Sequence, residues 1–325
     1  MTTIAIVRGD VLATRCDVLV MKYAQGFHGA DQAVATALGL SEPRDGFLAV
    51  GKHAYTLTNG RLGSERVLFV GVPELGDFRY AEIRQFSRDV LDIIAGERFA
   101  KSSIAMTMHG VGYGLDEREA FSAQVAGLME YLDSPVRLWK PDSITIVERD
   151  PARAERLSHY LDGILLLAGT PANTPEYRVG ARSIPDAGIA SSAKKLVFVA
   201  MPYDEDMQDV YEFGIREPVN AAGCLCERCD KAVFTGDVLE RIRSRIAAAT
   251  VVVADMTGAN PNVYLEVGYA WGRGVPTLLV ARVGQELLFD VKTHKCIYYK
   301  NISDLRKRLA DLLPALVADG PSPKP

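Results

Sequence analysis

The sequence predicts an α/β protein built as two three-layer domains, and three observations carry that expectation. Strand-like and helix-like runs alternate along the chain, the pattern of helices layered on a mostly parallel sheet. The alternation breaks once, over residues 169–194, where GTPANTPEYRVGARSIPDAGIASSAK is rich in Gly, Pro, Ala and Ser and sustains no period. Beyond the break, TVVVA at residues 250–254 is a nearly continuous β-branched run, the mark of a strand buried on both faces.

Upstream of the break, short apolar runs at residues 4–7, 17–21, 67–71, 103–106 and 143–147 read as strands. Longer runs at 30–38, 80–95, 117–132 and 151–161 read as the helices between them. Downstream the order is strand 196–200, helices 207–222 and 238–249, strand 250–254, helix 262–272, strand 277–281 and helix 302–316, which predicts a second, smaller parallel sheet. The expected layout is a first domain at 1–168, a linker at 169–193, a second domain at 194–316 and a Pro-rich, disordered tail at 317–325.

A chain of 325 residues, 48% hydrophobic and 24% charged, suits a globular protein of two domains. Its net charge of -4 and pI near 5.8 leave no basic footprint, which argues against duplex nucleic acid as a partner. The opening MTTIAIVRGD lacks the apolar core of a signal peptide, and no stretch reaches the roughly 18 apolar residues that span a bilayer, so a cytoplasmic protein without membrane partners is expected. Three of the five cysteines stand in CLCERC, as Cys224, Cys226 and Cys229. Tetrahedral zinc needs four ligands, usually two separated pairs, and Cys16, Cys296 and the scattered histidines form no second pair. Neither a metal nor another cofactor is expected; the segment from Gly223 to Cys226 reads instead as the start of a strand carrying free thiols.

The richest segment is VVVADMTGANPNVYLEVGYAWGRGVP, residues 251–276. Asp255 tips a buried strand, Asn260 is a good helix N-cap, and Pro261 is a good first helical residue. The helix that follows runs to Gly272 or Gly274, and between Asn262 and Gly272 its sole charge is Glu266. A solvated helix carries several charges, so this one is mostly buried and its carboxylate requires a partner, a raised pKa or a substrate. The plainer alternative pairs Glu266 with Arg243, Arg245 or Arg273 and leaves Asp255 hydrogen-bonded to its turn.

Residues 194–300, and above all DMTGANPNVYLEVGYA at 255–270, resemble the nucleoside 2-deoxyribosyltransferase-like proteins, a flavodoxin-like branch related to TIR domains. The resemblance implies that Glu266 acts at the anomeric carbon while a nucleobase leaves, and that Met201, Pro202, Tyr203 and Asp204 bind substrate. The chemistry agrees, because breaking a C–N glycosidic bond builds positive charge on the sugar, which a carboxylate stabilises or captures as an ester. Asn260 stands where those enzymes often carry an Asp and cannot protonate a leaving base; Asp255, Asp230 and Asp237 stay open as the acid. Nicotinamide leaves NAD as a neutral base without protonation, which tilts the expected substrate towards NAD. Asp230, Asn260 and Asn262 complete the expected substrate-binding set, with Glu266 and Asp255 as the catalytic pair.

In the first domain Gly9-Asp10-Val11, HGADQAV at 28–34 and HGVGYGLDEREAF at 109–121 resemble a diverged macro domain, including the macro-like domain of leucine aminopeptidases. The resemblance implies an ADP-ribose or related adenine-nucleotide ligand, with Asp10 at the base and Gly110, Gly112 and Gly114 under the phosphates. Glycine lets backbone N–H groups approach phosphate, and a following helix N-terminus favours its charge. Lys22-Tyr23-Ala24-Gln25 replaces the family's Asn-rich strand end, which speaks against hydrolytic macro activity. The alternative is an inert scaffold or oligomerisation domain. Together the parts predict a macro-like N-terminal and a flavodoxin-like parallel-sheet C-terminal domain. The combination suits a regulated N-glycosidase acting on a nucleotide or nucleoside, resembling bacterial immune effectors, and a homo-oligomer. A non-catalytic nucleotide-binding signalling module and a salvage deoxyribosyltransferase are the rival readings.

Overall fold

The computed structural model describes residues 2–41, 46–97, 102–169, 186–229 and 238–319. The chain divides into two compact units, Met1–Gly112 with Glu117–Ser191, and Tyr113–Asp116 with Ser192–Pro325. Both are α/β. Among the described residues no helix is long and apolar enough to cross a membrane.

The first unit is built on a six-stranded sheet of β1 (Thr3–Arg8), β2 (Cys16–Tyr23), β3 (His53–Leu57), β4 (Ser64–Gly71), β5 (Ser103–Thr107) and β6 (Ser143–Glu148). Their order is β1-β6-β5-β2-β4-β3, and only the β3–β4 pairing is antiparallel. The helices are α1 (Ala30–Leu38), α2 (Tyr80–Gly96), α3 (Glu117–Leu132) and α4 (Pro151–Gly169). Because strand side chains alternate between faces, Leu19, Met21 and Tyr23 of β2 and Val67 and Phe69 of β4 share one face. There they meet Val34, Ala35 and Leu38 of α1. Helices α2 and α3 approach so closely at Gly127 that a Cβ there would collide with the Arg84 carbonyl. The edge strand β3 was not legible as a strand, since its HAYTL run has no buried face to enforce a pattern. Helix α4 runs past residue 161 because nothing breaks it before Gly169.

The second unit holds β7 (Leu196–Ala200), β8 (Leu225–Glu227), β9 (Val251–Asp255), β10 (Thr277–Arg282) and β11 (Cys296–Tyr299) in the all-parallel order β11-β10-β9-β7-β8. Counted within the unit this is the flavodoxin-like order 2-1-3-4-5. The expected single helix at 207–222 is instead a π-helical segment, Val210–Arg216, continued by α5 (Glu217–Ala221). Pro218 has no N–H to donate to the Gly214 carbonyl, so the regular ladder cannot run through this point and the winding loosens. The remaining helices are α6 (Val238–Ala248), α7 (Pro261–Gly272), the short α8 (Phe289–Lys292) and α9 (Ile302–Asp319).

Leu305, Leu309, Leu313 and Val317 recur every fourth residue along α9 and pack with Val210, Ile215 and Val219 onto Val197, Val199, Val251 and Val253. The alternate strand residues Phe198, Val252 and Ala254 are buried on the other face, where α6 contributes Ile242 and Ile246 and α7 contributes Val263, Val267 and Ala270. Strands β7 and β9 therefore lie under helices on both sides, which is why their sequences read as continuous apolar runs.

Candidate functional site

In the second unit the chain leaves β7 in one direction along the sheet, to β8, and later returns to β7's other side with β9. The carboxyl ends of β7 and β9 thus flank the topological switch point, where doubly wound sheets open a crevice. Met201 and Pro202, directly after β7, are buried; Tyr203 is half-buried and Asp204 exposed. The Tyr203 hydroxyl donates to the Cys229 carbonyl, tying this loop to the end of β8.

Asp255 closes β9 with no exposed surface. Its Oδ1 accepts from the Thr257 N–H at 2.9 Å and its Oδ2 from the Tyr299 hydroxyl at 2.8 Å. Burial pushes its carboxyl pKa up, while these hydrogen bonds to the charged form pull against the shift. Asn260 caps α7, its side-chain oxygen accepting from the Asn262 N–H at 3.0 Å, and Pro261 begins the helix. Glu266 lies one and a half turns further on and is 7% exposed. Asn262, Glu266 and Tyr269 are spaced to share one face of α7, and they open onto a groove whose other wall is Leu239, Ile242 and Ile246 of α6.

The Glu266 charge reaches the end of β8. The Cys229 thiol is pushed up to about 11, first by burial, with Arg241 pulling it down and Glu227 and Glu266 among the carboxylates that raise it. Arg245 pairs with Glu227 at 2.6 Å and Arg243 with Glu240 at 4.0 Å. Asp230 and Asp237 lie outside the described residues. Sequence reasoning passed over Arg228, whose guanidinium sits 4.0 Å from the Tyr211 ring centroid and 5.3 Å from that of Tyr203. The signal was the Arg inside CLCERC, a motif weighed only for its thiols.

In the first unit Asp10 follows β1 and Gly110 follows β5; β1, β6 and β5 run parallel, so both stand at the carboxyl edge of that sheet. Asp10 is exposed and its Oδ1 accepts from the Leu12 N–H at 2.9 Å. Gly110 is buried with φ +99° and Gly112 is exposed in a short 3-10 turn. Gly114, with φ +92°, falls in the second unit, where a Cβ would come within 3.0 Å of the Arg228 carbonyl oxygen. Asp116 of the same segment accepts from Asn220 Nδ2 at 2.7 Å and from the Cys226 N–H at 2.9 Å. Near the first unit's carboxyl edge Lys22 makes a buried ion pair with Asp31 at 2.6 Å. His109, 2% exposed, has its pKa lowered to about 3 by burial and by the Lys22 charge. All five cysteines are free thiols, and among the described residues no group of three or more His, Cys, Asp or Glu is placed to hold a metal ion.

No protein-family model matches the chain, and no curated protein matches it. Solved structures similar to it include the Oceanobacillus iheyensis macrodomain with MES bound, at 18% identity over 50% of this chain and 91% of that chain, with a TM-score of 0.40. A variant of that macrodomain with ADPR aligns at 18% identity over 50% of this chain and 92% of its own, TM-score 0.39. The Trypanosoma brucei macrodomain in complex with ADP aligns at 20% identity over 49% of this chain and 69% of its own, TM-score 0.39. The likeness extends over about half of the chain, and at these scores the fold described above rests on the strand orders themselves.

Proposed function

We propose that the second unit cleaves an N-glycosidic bond, with Glu266 stabilising the positive charge that develops on the sugar as the base departs. The observation that carries this reading is the placement of Glu266: a 7%-exposed carboxylate, alone on its uncharged helix, lining a groove between α6 and α7. Asn262 and Tyr269 on the same face are the groups available to position the sugar and base. Asp255 is assigned to the site as a positioning residue, since both of its oxygens already accept hydrogen bonds that hold the β9–α7 turn. Without a carboxyl at position 260, substrates whose base leaves unprotonated are favoured, and NAD is the first choice. The loop Met201–Pro202–Tyr203–Asp204, which follows β7, is assigned to substrate binding on the resemblance of the sequence.

The first unit is assigned the regulatory role: an adenine nucleotide or ADP-ribose held at the carboxyl edge of its sheet by Asp10 and the Gly110–Gly112 turn. A ligand there shifts activity only by its differential affinity for two states of the protein, typically about 1–3 kcal/mol per site, which assembly into a homo-oligomer multiplies. The whole is then a cytoplasmic, nucleotide-gated effector of the kind used in antiviral defence. A second reading, nucleotide binding without catalysis, draws on Asp255, which is fully engaged in structural hydrogen bonds.

The test is to incubate the full chain with NAD, nucleosides and deoxynucleotides, with and without ADP-ribose, and to separate the products by chromatography. Release of nicotinamide supports the reading, base exchange points to a salvage transferase, and no product at all points to the binding module. Glu266→Gln keeps the volume and removes the charge, so base release is expected to drop roughly a thousandfold, about 4 kcal/mol of transition-state stabilisation. Turnover near the wild-type rate would make Glu266 structural.

A further inference from the structure

Arg228 stands beside the loop that follows β7, and among the described residues no carboxylate compensates its charge. It comes immediately after β8, half-buried, its guanidinium held against the Tyr211 and Tyr203 rings at 4.0 and 5.3 Å. One nitrogen donates to Gln208 Oε1 at 2.9 Å; a second reaches only the weak acceptor Met201 Sδ at 3.8 Å. A guanidinium offers about five N–H donors, so most of the fork is uncommitted. Nearby arginines are paired: Arg245 with Glu227 at 2.6 Å, Arg216 with Glu212, and Arg282 with Asp206 at 3.2 Å. Among the described residues Arg228 has no carboxylate in ion-pair range.

Two rings and one amide hold this cation in a fixed orientation, which is more than solvation of a surface arginine requires. Gln208 is itself oriented, its Nε2 donating to Glu212 Oε1 at 2.9 Å so that its carbonyl oxygen faces Arg228. Tyr211 comes from the π-helical segment Val210–Arg216, a winding that recurs at functional sites. Stacking accounts for the rings but not for the missing counter-charge. A pre-oriented, unpaired guanidinium matches the geometry of a phosphate, which it grips with two parallel N–H donors.

We propose that Arg228 is the phosphate anchor of the Glu266 site, so that the substrate is a phosphorylated nucleoside, a mononucleotide or dinucleotide, and not a free nucleoside. The proposal rests on the assignment of base release to this unit. Its chemistry would also accept free phosphate as a separate effector, and the test distinguishes the two. Wild-type, Arg228→Gln and Arg228→Lys proteins are titrated by calorimetry with adenosine, cytidine, guanosine and uridine, each against its 5′-monophosphate, and with inorganic phosphate. Base release is followed in the same samples and in samples of NAD.

For at least one base the wild-type protein is expected to bind the monophosphate tenfold or more tightly than the nucleoside. Arg228→Gln should bring that ratio close to one without weakening the nucleoside, and Arg228→Lys should fall between. The ligand assigned to the first unit is an adenine nucleotide, so the cytidine, guanosine and uridine pairs report the second unit alone. A ratio unchanged in Arg228→Gln, or no preference in the wild type, overturns the anchor. So does inorganic phosphate that binds without competing with the monophosphate. If Arg228→Gln fails to fold, Arg228→Lys decides, and a preference equal to the wild type overturns the proposal. An Arg228-dependent ratio without base release from any ligand would instead sink the Glu266 chemistry and leave the anchor standing.

Discussion

Lowering the pH should unfold the first unit through His109, and the size of the effect follows from its surroundings. The ring is 2% exposed, lies edge-on to Phe86 at 4.8 Å and to Phe78 at 6.0 Å between centroids, and its Nε2 has no hydrogen-bond partner among the described residues. Burial first, and the Lys22 charge second, lower its pKa from 6.5 to about 3. Well above pH 6.5, near pH 8, the imidazole is neutral in both folded and unfolded chains and contributes no pH dependence. Between pH 6.5 and 3 the unfolded chain takes up a proton that the folded one refuses, so stability falls as pH falls, by about 1.4 kcal/mol per pH unit. At pH 4.5 the accumulated loss is about 2.7 kcal/mol. The shift of Asp31, raised by burial against the pull of Lys22, acts in any variant that keeps the Lys22–Asp31 pair and so cancels between them. His109→Leu fills the ring's space without a titratable nitrogen. Its unfolding free energy in urea should fall by about 2.7 kcal/mol less than that of the wild type between pH 8 and 4.5. The chain has two tryptophans, so a Trp271→Phe background leaves Trp139 fluorescence to report the first unit. Parallel losses in the two proteins would refute the argument that His109 is held neutral.

Two further outcomes follow from single contacts in the second unit, both read by Trp271 fluorescence in urea in a Trp139→Phe background. Gly114→Ala places a Cβ 3.0 Å from the Arg228 carbonyl oxygen at a backbone φ of +92°, and should cost about 1–3 kcal/mol, whereas Ala at the exposed Gly112 should cost far less. Tyr299→Phe removes the donor that reaches buried Asp255 Oδ2 at 2.8 Å and should cost about 1.5–3 kcal/mol; a midpoint unchanged by that substitution would mean the carboxyl is solvated in solution.

The parts of the fold legible in the sequence are those whose burial imposes a pattern. Helices α1 and α3 begin and end where the apolar period does, and β7 and β9, covered on both faces, announce themselves as unbroken apolar runs. The N-cap at Asn260 and Pro261 at the first helical position likewise placed the start of α7, because capping is a local interaction. Strands β3 and β11 left no comparable trace. Both are edge strands, paired on one side alone; β3 buries no face that would enforce an alternation, and β11 spans four residues, too few to show a period. The π-helical Val210–Arg216 was read as ordinary helix because its apolar spacing is nearly that of an α-helix; the departure comes from a missing N–H at Pro218, outside any hydrophobic period.

The candidate site shows the same division between local and long-range causes. Glu266 could be singled out because a lone charge on an uncharged helix is visible in a dozen residues. Arg228 could not, since its significance lies in rings at positions 203 and 211 and in the counter-charges that its neighbours take and it does not. HGVGYG poses the harder case. A glycine that admits a phosphate and one that admits another stretch of backbone have identical sequences, because each need is met by the absence of a Cβ. What separates them is the occupant of the space where the Cβ would be. At Gly114 that space holds the Arg228 carbonyl and Cys229, so close packing alone accounts for the glycine, and any phosphate in the first unit must rely on Gly110 and Gly112.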